Sequence, residues 1–434
     1  LNQAQCKKGM SMNLRPTLFA AALLGSLVSL QAKAQTIPYA DLPSWLVSGS
    51  LVLGAAQANV ASSAAREGYL ARSWRPNVEL QGGAEAYQKG RASGSNPYGG
   101  IEAAVSLYNG GRDTLEDAKR QAATGIATAK VSLTKHELLL AARSAYLEVM
   151  FLQEQQALLA AEQTMQKSHQ NAAQKRLSAN LGTAADTLDF KLRREELAQD
   201  ETTNRHELAH ARQTLATLLG LPHAEALELA ALPPLPKVLP LVEVSSSHPA
   251  AQTYAQEAAV IALTAAQETA WRRPKVEAYT GYRGVSGVEE TGDLRDRTEG
   301  QVGLRLRVPL YDGGNSASEA TSLRRQSEAL MLEQQAKLNS LQADIAMVQM
   351  HWQSLQQKEV TIARTLKLAQ QLHSQVLKEY RVGNKSSRDM LDATRRLFEA
   401  RHAALVNRQD QYAILAQLEA LNAGENNTFP TPAL

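Results

Sequence analysis

Much of this chain is written twice. Leu107-Tyr108-Asn109-Gly110-Gly111 returns as Leu310-Tyr311-Asp312-Gly313-Gly314, and Asp186-Thr187-Leu188-Asp189 returns as Asp389-Met390-Leu391-Asp392, each 203 positions on. Ser73 to Glu79 (SWRPNVE) is echoed by Ala270 to Glu277 (AWRRPKVE). Repetition at about half the chain length requires two similar structural units, so the fold must be built from one unit used twice.

Both units, 35–219 and 249–424, follow one order. Each opens with a helix of about seven turns, ending near Arg72 or Arg272. A strand pair follows, over 77–88 and 99–108 in the first unit and 275–284 and 301–310 in the second. Val78, Leu80, Gly82, Ala84 and Ala86 face one way and Asn77, Glu79, Gln81 and Glu85 the other; Ile101, Ala103, Val105 and Leu107 alternate with Glu102, Ala104 and Ser106. Val276, Ala278, Thr280 and Tyr282 repeat the pattern, then Val302, Leu304, Leu306, Val308 and Leu310 against Gly303, Arg305 and Arg307. A period of two with one apolar face is a half-buried strand. The connections, Lys89 to Gly99 and Gly284 to Gly300, are rich in Gly, Ser and charge and read as exposed hairpin loops.

After each Gly-Gly the sequence turns helical. No proline occurs between Pro97 and Pro222 or between Pro309 and Pro430, and Ala, Leu, Gln, Glu, Lys and Arg predominate. Helices over 111–178 and 314–381 would each reach about 100 Å, a length stable only with partners packed along it. Asn180 and Gly182 mark the first turn and Gly383 the second, since Gly and Asn tolerate left-handed backbone. Return helices follow over 183–219 and 386–423. Residues 220–248 (PPLPKVLP at their centre) are a connector, and 425–434 a tail.

Four such strands cannot close a barrel alone. Their small and aliphatic faces suit either a sheet covering helices or a transmembrane barrel pooled from several chains. Residues 1–34 read as leader and signal peptide: Arg15 precedes an apolar run from Leu18 to Leu30, and Ala32-Lys33-Ala34 supplies a small-x-small cleavage site. Without them, 42 basic residues face 43 acidic ones, a balance that gives no support for nucleic-acid binding. The only cysteine, Cys6, lies in this segment, so neither disulfide nor thiol chemistry is expected of the mature chain.

His206-Glu207-Leu208-Ala209-His210 matches the helical H-E-x-x-H signature of zinc metalloproteases. The longer form of that signature is missing, because Gln213 and Ala216 hold its Gly and final His positions. The second unit carries Gln409 to Ala413 (QDQYA) at the same offset. Neither metal nor cofactor is expected.

Val308-Pro309-Leu310-Tyr311-Asp312-Gly313-Gly314, Tyr380-Arg381-Val382-Gly383 and Asp389-Met390-Leu391-Asp392-Ala393 resemble the strand-to-helix junction and periplasmic tip of the TolC family of outer-membrane export channels. The resemblance extends over nearly the whole chain downstream of the leader. It implies a mixed, mostly α fold: a homotrimer whose protomers pool four strands each into a 12-stranded outer-membrane barrel, continued by a coiled-coil tunnel through the periplasm. The duct is passive and not an enzyme. Its implied partners are outer-membrane lipid, a periplasmic adaptor, and an inner-membrane RND pump or ABC transporter. The resemblance further implies that Asp389 and Asp392 line the entrance and that Asp186, Tyr380 and Lys385 latch the closed state. Asp389 and Asp392 are also well placed as ordinary carboxylates at a helix N-terminus. Arg305 and Arg307 face the polar side of their strand, which suits the barrel lumen or an ordinary surface position. This chain departs from the family in having Asn180 where Gly is common and Lys385 where Arg is usual. A soluble coiled-coil adaptor and a zinc protease are the alternatives.

Overall fold

A computed structural model describes residues 35–422 except 90–91, 181, 223–226, 243 and 289–293. The leader and the tail lie outside the described residues.

The first unit begins with strand β1 (Gln35–Ile37) and three helices, α1 (Leu42–Gly49), α2 (Leu51–Ala64) and α3 (Tyr69–Ser73). A continuous opening helix was expected here. Ser50 adopts extended backbone and caps α2 through Leu53 N–H, and Gly68 is left-handed at φ 69°; each interrupts the helical ladder. The second unit has the expected single helix, α6 (Pro249–Thr269).

Strands β2 (Asn77–Lys89), β3 (Ala92–Asn109), β5 (Lys275–Val288) and β6 (Leu294–Arg307) form one antiparallel sheet in the order β2-β3-β5-β6. Strand pairing runs through most of the segments read as loops. The sheet ends sooner than expected in the second unit, since Pro309 cannot donate to a ladder and residues 308–310 lie outside β6. The register joins the apolar positions of all four strands. Val78 pairs with Ala103, Ala103 with Thr280 and Thr280 with Val302; Val105 pairs with Ala278 and Ala278 with Leu304. One position was misread. A bulge between Ser106 and Tyr108 shifts the register, so Tyr108 rather than Leu107 stands opposite Val276.

Two hairpins leave the sheet. The first is α4 (Arg112–Ser178) with α5 (Ala184–Leu218), the second α7 (Asn315–Arg381) with α8 (Ser387–Leu421). Both long helices have 67 residues, and both start after a left-handed glycine, Gly111 or Gly314. The duplication reaches single hydrogen bonds: buried Asn204 donates to Leu152 O at 3.1 Å, and Asn407, its repeat counterpart, to Leu355 O at 3.4 Å.

Midway along the hairpins sits a belt. Strand β4 (Leu227–Leu229), within the connector, pairs in parallel with β1. Tyr146 O–H donates to Ile37 O and Ala230 O, Tyr412 O–H to Pro233 O, and Gln356 to Lys237 O. Beneath, Leu42, Leu46, Tyr146, Leu215 and Leu219 form the main core, and Trp352, Leu355 and Leu418 a second one under Val242. Each fully buried side chain of this size contributes about 1.5–3 kcal/mol. The connector therefore straps both hairpins at one level.

Candidate functional site: an amphipathic sheet and a paired-hairpin tip

The sheet is exposed on both faces, yet the two are unlike. On one, Leu80 is 83 % and Val302 86 % exposed, beside Val78, Ile101, Tyr282, Leu304 and Leu306. The other is polar. Arg305 lies 3.7 Å from Glu102 and 3.6 Å from Glu277, with its guanidinium over the Tyr279 ring. Arg307 stands opposite Lys275 on this face. A Cβ at Gly303 would lie 2.9 Å from the Tyr279 hydroxyl, and one at Gly83 2.8 Å from that of Tyr98. The glycines thus let two tyrosines lie flat across the polar face. An apolar face open to its surroundings suits lipid, and a charged face suits a water-filled lumen. Among the described residues, no helix is long and apolar enough to cross a membrane.

At the far end the two hairpins meet. Asn180 (φ 56°) and Gly383 (φ 87°) take the left-handed backbone; Gly182 sits in the first turn without it. Each return helix then starts with a capping box. Thr183 Oγ1 accepts from Asp186 N while Asp186 accepts from Thr183 N at 2.8 Å. Ser386 and Asp389 repeat the arrangement, with Asp389 accepting from Ser386 N at 3.0 Å. These bonds hold both carboxyls below the usual carboxylate range: for Asp186 the Ser387 bond is the largest cause and the Thr183 bonds follow, and for Asp389 it is the Ser386 bonds.

The expected latch residues gather at this tip, but with different partners. Lys385, in the turn, lies 3.8 Å from Asp389 in the first turn of α8, and not against Asp186. Asp186 instead accepts a short hydrogen bond from Ser387 of the second hairpin. Tyr380 is 3 % exposed, buried with Phe190, Ala173, Val376 and Met390. Arg176 of the first hairpin donates to Tyr380 O, its guanidinium 4.8 Å from the Tyr380 ring centre. Burial pushes the Tyr380 hydroxyl up. Asp392 is exposed and pairs with Arg395 at 3.3 Å. At the tip, hydrogen bonds from Ser387 to Asp186 and from Arg176 to Tyr380 O tie the hairpins. The first donor of each pair carries no local sequence signal, because its acceptor lies about two hundred residues away.

His206, Glu207 and His210 are all exposed on α5. Among the described residues, no group of three His, Cys, Asp or Glu is arranged to hold a metal ion.

Residues 243–424 match the sequence model of the outer membrane efflux protein family. That match covers the second repeat. Solved channel structures extend the likeness to the first repeat. The outer-membrane channel OprN superposes with a TM-score of 0.74 at 19% identity, covering 89% of this chain and 90% of that one. VceC of Vibrio cholerae gives 0.73 at 15%, covering 89% and 96%, and the open-state MtrE channel of Neisseria gonorrhoeae 0.68 at 16%, covering 92% and 93%. Among curated proteins, no sequence matches this chain. Both repeats thus share the fold of these outer-membrane channels, and the family match over the second repeat favours a channel over a soluble adaptor or a protease.

Proposed function

We propose that this protein is the outer-membrane exit duct of a tripartite export system. The amphipathic sheet carries the reading. It has an apolar face, a charged face and two open edges, β2 and β6, and it continues into two hairpins of about 100 Å. Three copies would join edge to edge into a 12-stranded barrel, with lipid outside and Arg305 and Arg307 in the lumen. Exposed Met331, Leu332, Met347, Met350 and Leu368 along α7 support helix packing between copies. Energy would come from an inner-membrane RND pump or ABC transporter, reached through a periplasmic adaptor at the hairpin tips. Asp389 and Asp392 would ring the entrance, and Asp186, Tyr380 and Lys385 belong to the region that closes it.

The test is cell fractionation with electrophysiology. The full chain, expressed in a Gram-negative host, should sediment with outer membranes, cross-link as a trimer and conduct in planar bilayers. A monomer in the soluble periplasmic fraction would refute the proposal.

A further inference from the structure

A histidine pair spans the seam between the hairpins just behind the tip. His169 is on α4 and His373 on α7, nine and eight residues before the last residues of those helices. Their ring centres are 6.0 Å apart, and Phe190 lies 5.9 Å from His169. His169 is 5 % exposed, and neither Nε2 has a hydrogen-bond partner. Around the pair, α4 and α7 share a small core of Ala173, Val376 and Tyr380, and Arg176 of α4 bonds Tyr380 of α7.

We propose that the pair is a proton-sensitive element that loosens α4 from α7, and so opens the tip, when the periplasm turns acidic. Neutral imidazoles pack as aromatic groups; two imidazolium ions at this spacing repel. The charged groups that act on them are cationic. Arg381 of α7 acts on His169, and Arg401 of α8 acts on His373. Arg176 of α4 sits beyond, over Tyr380. Of the carboxylates on these helices, Glu162 of α4 pairs with Arg193 of α5, Asp186 of α5 accepts from Ser387, and Glu399 of α8 lies near Arg395. Burial, followed by His373 and Arg381, lowers His169 from 6.5 to about 4, and burial followed by Arg401 lowers His373. A depressed histidine favours the packed state above its ordinary value, and that preference is lost as pH falls from about 6.5 toward 4. Asp186 and Asp389, held below the usual carboxylate range, titrate outside this window.

Gating here rests on the duct reading; hairpin separation can be measured without it. Spin labels on exposed Ser168→Cys and Gln371→Cys, in the full chain in detergent, should separate as pH goes from 8 to 5. Open-channel probability in planar bilayers should rise about tenfold over the same range. His169→Gln with His373→Gln should abolish both responses. Half-buried His373→Gln alone, which leaves the buried ring in place, should weaken them if the double variant does not assemble. Label distances that ignore pH, or variants that keep the wild-type pH profile, would overturn the inference. Absence of conductance beside a pH-dependent separation would instead count against the duct.

Discussion

The two repeats share a backbone plan and differ in what they connect. Both have a 67-residue helix, a capping box at the turn and a buried Asn tied to the long helix at the same point. At the tip the symmetry ends. Asp186 and Asp389 cap their helices in the same way, yet only Asp186 also takes a bond from the other hairpin; Asp389 takes Lys385 of its own. Phe190 fills the tip core where the second repeat has Ala393. Duplication supplied two equal hairpins, and divergence at a few positions made the first a receptor for the second.

The strongest trial of the shared plan lies in the sheet. Ile101 and Leu304 are repeat counterparts on the apolar face. Ile101→Arg and Leu304→Arg should both block outer-membrane assembly, each costing roughly 2–4 kcal/mol at a midplane site, as read by trimer yield. Arg305→Leu should be tolerated better. If the polar-face change is the more damaging, the assignment of the two faces is inverted.

A milder trial uses the buried asparagines. Asn204→Ala and Asn407→Ala should lower urea stability by similar amounts, on the order of 0.5–1.5 kcal/mol, because each removes one buried hydrogen bond between a return helix and its long helix. A loss confined to one repeat would mean that the hydrogen-bond symmetry has no energetic counterpart.

Divergence is tested at the tips. Asp186→Asn should raise bilayer conductance, since it weakens both a cap and the link to Ser387, whereas Asp389→Asn should weaken a cap alone. Ser387→Ala should mimic Asp186→Asn. Equal conductance in the two Asp variants would erase the distinction between the hairpins. The smallest effect is expected where the repeats differ without consequence: His206→Ala with His210→Ala should leave conductance, assembly and metal content unchanged, checked by bilayer recording and by elemental analysis of the pure protein.

Period and punctuation made most of the fold readable. Alternation of two placed the strand faces because one face is apolar on every strand, and the Gly-Gly pairs set the helix starts because the left-handed backbone there favours glycine. Glycine and serine chemistry also broke the opening helix at Ser50 and Gly68, a signal present in the sequence but outweighed by an alanine-rich background. The bulge at Leu107 was hidden because apolar alternation continues straight through it. The tip was half legible. Asp186, Tyr380 and Lys385 do gather there, but burial and distance decide their partners, and Arg176, Phe190 and Ser387 meet them only through tertiary packing.

The belt that straps both hairpins also makes each a lever. From Leu355, under the belt, to Arg381 at the end of α7 is 26 residues, about 39 Å of unbroken helix. A tilt of about 5° about that fulcrum would sweep the tip through roughly 3 Å, the span of a hydrogen bond. The mechanical advantage belongs to the middle of the molecule. Repacking Trp352 or Leu418 is therefore as direct a way to shift the hairpin tips as changing a residue within them.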